Sequence, residues 1–268
     1  MTNSLRMFVN DMMDDRNDAL FDEGYDTTQV SMMGEQVILV DTDDQVIGQM
    51  SKMDAHRGEG VLHRAFSILL FDDDDRLLMQ KRANHKITFP GVWANTVCSH
   101  PLHVDDEMDH GVLGDGAKMA AIRKMDQELG LAPNQISIDD IHFITRMMYR
   151  ARADDVWVEH ELDHILFARA PKRVQLSPNP NEISELLWVS QNDLEVWLDE
   201  DATENRIIAP WFRLIAENIL PEWWGNLDGL PTLADNQIRD MGVVKMDDSD
   251  AIDASKSGVM SALKSHRD

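Results

Sequence analysis

Two short segments carry residues whose types and spacing suit chemistry. In TFPGVWANTVCSHPL, residues 88–102, Cys98 and His100 are separated by one residue, so on an extended chain their side chains share a face. The segment VEHEL has the same spacing, with Glu159 and Glu161 on one face and His160 on the other. Two such strands would present a thiol, an imidazole and two carboxylates to one cavity, a set able to transfer protons and to bind a cation.

Two further histidines extend this set. His56 and His63 flank the Gly-containing loop RGEGVL and supply two more nitrogen ligands. Three His and two Glu suit a divalent cation such as Zn, Mn or Fe, and do not suit a thiolate cluster. Spacing alone leaves this assignment open, because the chain has 10 histidines and an isolated histidine is more often a surface or satisfied core residue.

The surrounding patterns predict the elements that position these residues. QVILVDTDDQVIGQMSK predicts two strands around a turn at 42–45, and AFSILLFD and RLLMQKRA predict a second hairpin around the four aspartates 72–75. Residues 141–152 and 156–168 alternate well enough for another pair of strands, and EISELLWVS predicts one more. The candidate groups thus lie on or beside β-strands.

Helical spacing appears in three places. AKMAAIRKMDQELG predicts a helix that ends before Gly130 and turns an apolar face, formed by Met119, Ile122, Met125 and Leu129, toward the core. Two more helical patterns lie at 191–198 and 207–220, and the residues after Trp224 are predicted to be peripheral.

Composition limits the function classes. The chain has 35 Asp and 14 Glu against 25 Lys and Arg, giving a formal net charge of -24, which argues against nucleic-acid and membrane partners. We expect a solvated acidic surface suited to high salt; an ordinary acidic cytosolic protein is the alternative.

The single cysteine excludes an intrachain disulfide, and the lack of a signal-like or membrane-spanning pattern predicts a cytoplasmic protein. Length and composition favour one main domain, at 34–224, between acidic extensions at 1–33 and 225–268.

Several motifs, in order, resemble type 1 isopentenyl diphosphate isomerases over roughly 36–224. They are H-x6-H at His56 and His63, FPGVWANTVCSHP, the helix end QELG, Tyr149, VEHEL and Pro210-Trp211. The resemblance implies an α/β (α+β), Nudix-like fold with a mixed central β-sheet flanked by helices. It also implies interconversion of isopentenyl diphosphate and dimethylallyl diphosphate in isoprenoid biosynthesis, by protonation and deprotonation through a carbocation.

The resemblance assigns a role to each matching residue. It implies one divalent metal (Mn, Zn or Fe) at His56, His63, His100, Glu159 and Glu161, and a Mg that Glu128 helps bind with the substrate diphosphate. Cys98 and Glu161 become the catalytic pair, with Tyr149 orienting the glutamate. Lys52, Arg82 and Lys86 match cations around the diphosphate, and Trp211 matches an aromatic that stabilises the carbocation.

Two other functions compete with this interpretation. RKMDQELGL aligns with the end of the Nudix signature REUxEExGU, where U is a bulky apolar residue, so a Nudix-type diphosphate hydrolase is the main alternative. Lys124 and Gln127 replace two glutamates of that signature, whereas Glu128 remains. A catalytically silent metal-binding or scaffolding protein is the second alternative. The resident metal, the order of proton transfers, the physiological direction and the oligomeric state, monomer or dimer, stay open.

Overall fold

A mixed β-sheet forms the centre of the structure, a computed structural model that describes residues 25–199, 206–232 and 234–244. The strands of this described part are β1 (Gln36–Val40), β2 (Val46–Ser51), β3 (His63–Phe71), β4 (Leu77–Arg82), β5 (Trp93–Ala94), β6 (Val97–Ser99), β7 (Ile141–Arg152), β8 (Val158–Arg169), β9 (Ile183–Val189) and β10 (Ile238–Val244).

The strand order explains how distant segments meet. The main path runs β10-β7-β8-β3-β1-β2, while β4 pairs with β3, β5 and β9, and β6 pairs with β3. β3 and β8 are parallel, as are β7 and β10, whereas β7 and β8 are antiparallel. Because β6 and β8 both flank β3, the two segments that carry Cys98 and Glu161 become neighbours.

Helices cover both faces of this sheet. They are α1 (Thr27–Met32), α2 (Lys52–Ala55), α3 (Asp115–Leu129), α4 (Gln191–Leu198), α5 (Pro210–Asn218) and α6 (Leu220–Trp223), with 3-10 turns at Asp105–Glu107, Ile138–Asp140 and Trp224–Thr232. One apolar cluster packs α5 and α6 against one face, and a second packs α3 against the other. The predicted fold class, a mixed sheet flanked by helices, is confirmed.

Both hairpins predicted around Asp-rich turns are present, but the two strands of the second hairpin pair only next to the turn. β3 and β4 pair at Phe71 and Leu77, after which β4 pairs with β9 and β5 instead. The turn is closed by the Asp72 carboxylate, which accepts hydrogen bonds from the backbone N–H groups of Asp74 and Arg76 at 2.9 Å. β3 is therefore free to pair with β6 and β8.

The helix predicted before Gly130 is confirmed as α3, and Gly130 ends it in the left-handed conformation at φ 65°. The predicted apolar face was partly wrong: Met119 is exposed, and the buried face contains Ala117, Ala120 and Ala121 beside Met125 and Leu129. Small residues let α3 lie close to the sheet. The contact face therefore includes alanines, which a pattern read from large apolar residues does not mark.

The predicted extensions include ordered structure that packs onto the rest of the described domain. In the N-terminal one, α1 buries Val30, which together with Met33 packs against Met53, Ile87 and Trp157. In the C-terminal one, Leu227 and Leu230 are buried and β10 pairs with β7, so residues 225–244 are less peripheral than the sequence suggested. The remaining residues of the two extensions, 1–24, 233 and 245–268, lie outside the described part of the chain. Within the described residues, no helix is long and apolar enough to cross a membrane.

Candidate active site

Four groups from different elements meet in one buried cluster. His56 follows α2, His63 begins β3, His100 follows β6 and Glu161 lies on β8, directly opposite His63 in the parallel pair. One ligand atom from each lies within 4.8 Å of the others. Glu161 Oε1 is 2.9 Å from His100 Nε2, 3.8 Å from His56 Nε2 and 3.7 Å from His63 Nε2.

The imidazoles are oriented as metal ligands. The Nδ1–H groups of His56 and His63 donate to the backbone carbonyls of Lys52 and Val61, each at 2.7 Å, which leaves the lone pair on Nε2. Both Nε2 atoms are buried without a hydrogen-bond partner in the part of the chain that the structure describes. Buried, unpaired acceptors aimed at a carboxylate fit a divalent cation, since an orphaned polar atom is otherwise costly.

The protonation states agree with that fit. Burial lowers the pKa of His56 to about 4 and that of His100 well below its usual value. Burial opposes ionisation of Glu161, yet its hydrogen bond with His100 and the neighbouring imidazoles of His56 and His63 hold its pKa well below the usual range. At neutral pH, His56 and His100 are therefore neutral imidazoles beside an ionised Glu161.

Glu159 lies on the same face of β8 but outside the four-group cluster. The Tyr149 hydroxyl lies 2.6 Å from Glu161 Oε2 and 3.1 Å from Glu159 Oε2, so it links the two carboxyl groups. Burial and the neighbouring charge of Glu161 raise the pKa of Glu159 to about 8. His160, predicted to lie on the opposite face, contacts Arg150 and the carbonyl of Gly60.

A cavity connects this cluster with the other predicted residues. Its lining includes His56, His100, Glu159 and Glu161, and also the remaining predicted groups Lys52, Arg82, Lys86, Cys98, Glu128, Tyr149 and Trp211. His63 is fully buried behind that lining. Met32, Thr88, Ser99 and Lys124 line the same cavity, and sequence analysis gave none of them a site role.

Cys98 is a protonated thiol at neutral pH. Burial raises its pKa to about 12, although the nearby Arg82 opposes the shift. Arg82 Nη1 lies 3.9 Å from Cys98 Sγ, and the same guanidinium donates to the carbonyls of Phe89 and Thr88 at 2.9 and 2.8 Å. The FPG segment, with Phe89 at φ 46° and Gly91 at φ 71°, thus fixes the cation beside the thiol.

Trp211 enters the cavity from the first turn of α5. Its indole N–H donates to Asn95 Oδ1 at 3.1 Å, and the Asn95 amide in turn donates to the carbonyls of Ile68 and Val97 at 3.2 and 2.9 Å. The Arg82 guanidinium lies 5.5 Å from the indole ring centroid. Asn95 is a positioning residue that sequence analysis missed, since its partners lie up to 116 residues away.

One side of the cavity is lined by lysines that pair with carboxylates. Lys86 Nζ donates to Glu182 Oε2 at 2.5 Å, and Lys124 Nζ lies 3.1 Å from Glu128 Oε1. Lys124 stands where the Nudix signature has a glutamate, so a lysine ammonium occupies the position of an acidic group beside Glu128.

Comparison with known proteins gives the class and then the family. The NUDIX domain model matches residues 61–212, more than half of the chain, so this is a Nudix-domain protein. Isopentenyl-diphosphate delta-isomerases from Gibberella zeae and Bos taurus are similar at 44% identity over 212 residues and 40% over 216. These matches cover 76% and 79% of this chain, and 81% and 94% of those proteins. The chain belongs to the isopentenyl-diphosphate delta-isomerase family.

Among solved structures, a Nudix hydrolase from Alicyclobacillus acidocaldarius is similar with a TM-score of 0.47 at 12% identity. That match covers 64% of this chain and 96% of the other.

Proposed function

We propose that this chain interconverts isopentenyl diphosphate and dimethylallyl diphosphate for isoprenoid biosynthesis. One observation carries the proposal: Cys98, Glu161 and Trp211 line a single cavity beside the His/Glu cluster. A thiol that keeps its proton and a carboxylate facing the same space are the two proton-transferring groups that a double-bond shift needs. The relatives named for this reaction, at about 40% identity, support it.

The reaction adds a proton to one carbon of the alkene and removes a proton from another, with a tertiary carbocation between the two transfers. Because burial raises the pKa of Cys98 to about 12, the thiol still carries its proton near neutrality and can donate it. Glu161 exchanges the other proton, and the reverse reaction exchanges the same two protons in the opposite order. Holding both groups against a buried substrate contributes through proximity and orientation.

The metal site would use His56, His63, His100 and Glu161, and Glu159, which lies outside that cluster but lines the same cavity, would be a fifth ligand. There a divalent ion such as Mn, Zn or Fe would supply a fixed positive charge, which would orient Glu161 and adjust its acidity. Tyr149 holds the same carboxyl group through its hydroxyl. The indole of Trp211, fixed by Asn95, faces the cavity where its ring stabilises a carbocation by about 2 kcal/mol when desolvated.

The diphosphate would lie against Lys52, Arg82 and Lys86, with a Mg that Glu128 helps bind. These groups neutralise and orient the anion in a chain whose surface is strongly acidic. We further propose that the catalytic unit spans 34–224, that the extensions at its ends are not catalytic, and that the protein is cytoplasmic.

Diphosphate hydrolysis is the competing activity. It is disfavoured because Lys124 and Gln127 replace two signature glutamates, and Lys124 pairs with the remaining Glu128. Purified protein with Mg and Mn should convert isopentenyl diphosphate into dimethylallyl diphosphate, followed by proton NMR, with no phosphate or diphosphate release. Release of either anion at a rate equal to substrate loss would favour the hydrolase instead.

A further inference from the structure

A buried carboxylate stands behind the cations of the cavity. Glu182 lies just before β9, is 2% exposed, and does not line the cavity itself. Its Oε2 accepts the 2.5 Å hydrogen bond from Lys86, and its Oε1 accepts one from the Gln29 side chain of α1 at 2.9 Å. Both oxygens are thus engaged, one by a cavity lysine and one by the N-terminal helix.

The charge of Glu182 acts on more than one cavity cation. Lys52, Lys86 and Lys124 all line the cavity, and burial disfavours the protonated form of all three ammonium groups. The negative charge of Glu182 opposes that penalty at each of them. Of the three, Lys86 donates directly to this carboxylate, whereas Lys124 pairs with Glu128.

We propose that Glu182 is a positioning residue for diphosphate binding, which anchors the Lys86 ammonium at the wall of the cavity and keeps it cationic. The proposal rests on the proposed function, since it assumes that Lys86 contacts the diphosphate. A carboxylate placed behind a lysine fixes the ammonium group without competing for the ligand, because the remaining N–H donors stay available to phosphate oxygens.

The charges around Lys86 set the expected pH dependence. Burial lowers the pKa of Lys86 to about 8, and Arg82 on β4 and Lys52 on α2 lower it as well, while Glu182 and Glu128 on α3 raise it. Removing the charge of Glu182 therefore lowers the pKa of Lys86 further. Diphosphate binding weakens when rising pH removes the proton from Lys86. Without the Glu182 charge, this loss of affinity occurs at a lower pH than in the unchanged protein.

Glu182→Gln tests this directly, with Glu185→Gln as the matched control. Glu185 lies on β9 and pairs with Lys81 at the surface, 2.9 Å away, so its loss leaves the cavity untouched. We expect E182Q to raise KM for isopentenyl diphosphate about tenfold, as loss of a hydrogen bond to a charged group predicts. The kcat should change little, and the alkaline limb of kcat/KM should move to lower pH. E185Q should match the unchanged protein in all three.

A purely structural role would give a different result: E182Q would unfold more easily in urea while KM and the alkaline limb stayed in place, which would overturn the proposal. Inorganic diphosphate with Mg, titrated into the protein by calorimetry, separates this proposal from the isomerase assignment, because it measures binding without turnover. Lys86→Gln serves if E182Q does not fold. It must weaken diphosphate binding at pH 7, and binding equal to that of the unchanged protein would overturn the proposal independently.

Discussion

At the scale of single residues, the metal cluster depends on which ring nitrogen each histidine leaves free. Backbone carbonyls of Lys52 and Val61 hold the Nδ1–H groups of His56 and His63, so the Nε2 lone pairs face Glu161. His100 contributes the nitrogen nearest to that carboxylate, at 2.9 Å. Three nitrogen donors and one oxygen donor in a buried space suit a divalent transition metal.

His100→Asn should lower metal content and activity together, because the amide group replaces the ring without reproducing Nε2. We expect metal affinity to fall at least about tenfold, because removing even a group that only hydrogen-bonds to a metal ligand lowers affinity by about that factor. Metal content measured by elemental analysis after dialysis checks this expectation. His142→Asn is the control, since His142 lies on β7 outside the cluster. Equal metal loss in both variants would mean that the ligand set is wrong.

The residues that sequence analysis found and missed differ in how local their signals are. The one-residue spacings in Cys98-x-His100 and Glu159-x-Glu161 are local, so shared faces followed from the sequence, although the roles themselves stay predictions. Glu182 and Asn95 had no local signal. Glu182 meets Lys86 across 96 residues, and Asn95 meets Trp211 of α5 across 116, through tertiary contacts that no short motif encodes.

At the scale of elements, α3 positions the segment that follows β6, the strand that carries Cys98. Arg123 on α3 donates to the backbone carbonyl of His100 at 3.2 Å and also pairs with Glu107. The Glu107 carboxylate accepts from the backbone N–H of Leu102 at 2.7 Å. The helix and the 3-10 turn at Asp105–Glu107 therefore hold the chain beside His100.

Gly116→Ala tests the close contact between these two elements. A Cβ at Gly116 would lie 2.1 Å from the Glu107 carbonyl oxygen, so the backbone must shift. We expect the free energy of unfolding in urea to fall by about 1–3 kcal/mol, the usual cost of overpacking. Gly225→Ala is the control, because a Cβ there meets no atom within 4 Å. Equal stability of the two variants would contradict the close packing of α3.

The elements were easier to predict from the sequence than their pairing. Strands β7, β8 and β9 and helix α4 lie close to where periodicity put them, since each has its own apolar pattern. The parallel pairing of β3 with β8, which places His63 opposite Glu161, joins segments about a hundred residues apart. The contact face of α3 also escaped the pattern, because alanine carries little hydrophobic signal yet packs closest.

At the scale of the whole molecule, charge is the dominant feature. The formal net charge is -24, and 35 aspartates spread along the chain supply most of the acidic groups. The acidic groups of such a surface repel one another in dilute buffer, because the Debye length is about 30 Å at 0.01 M. The repulsion is much weaker at 1 M, where the Debye length is about 3 Å. This repulsion is the physical basis of the expected high-salt surface.

Thermal stability should therefore rise with salt. Between dilute buffer and molar KCl, we expect Tm measured by circular dichroism to increase by at least about 2 °C, which corresponds to roughly 1 kcal/mol in a chain of this size. Most of the rise should occur below about 0.1 M, where the Debye length has already fallen to about 10 Å. An unchanged Tm would remove the high-salt interpretation and leave the proposed activity unaffected.

The proposed isomerisation requires that Cys98 and Glu161 transfer different protons within one cavity. The most direct test follows isopentenyl diphosphate in heavy water with Mg, comparing Cys98→Ala with the unchanged protein at matched metal content. The unchanged protein should form deuterated dimethylallyl diphosphate. The variant should bind metal and diphosphate normally, yet isomerise and take up deuterium at least about a hundredfold more slowly, the usual contribution of a general acid or base. Turnover of Cys98→Ala near the rate of the unchanged protein would make the thiol a lining residue and contradict the mechanism.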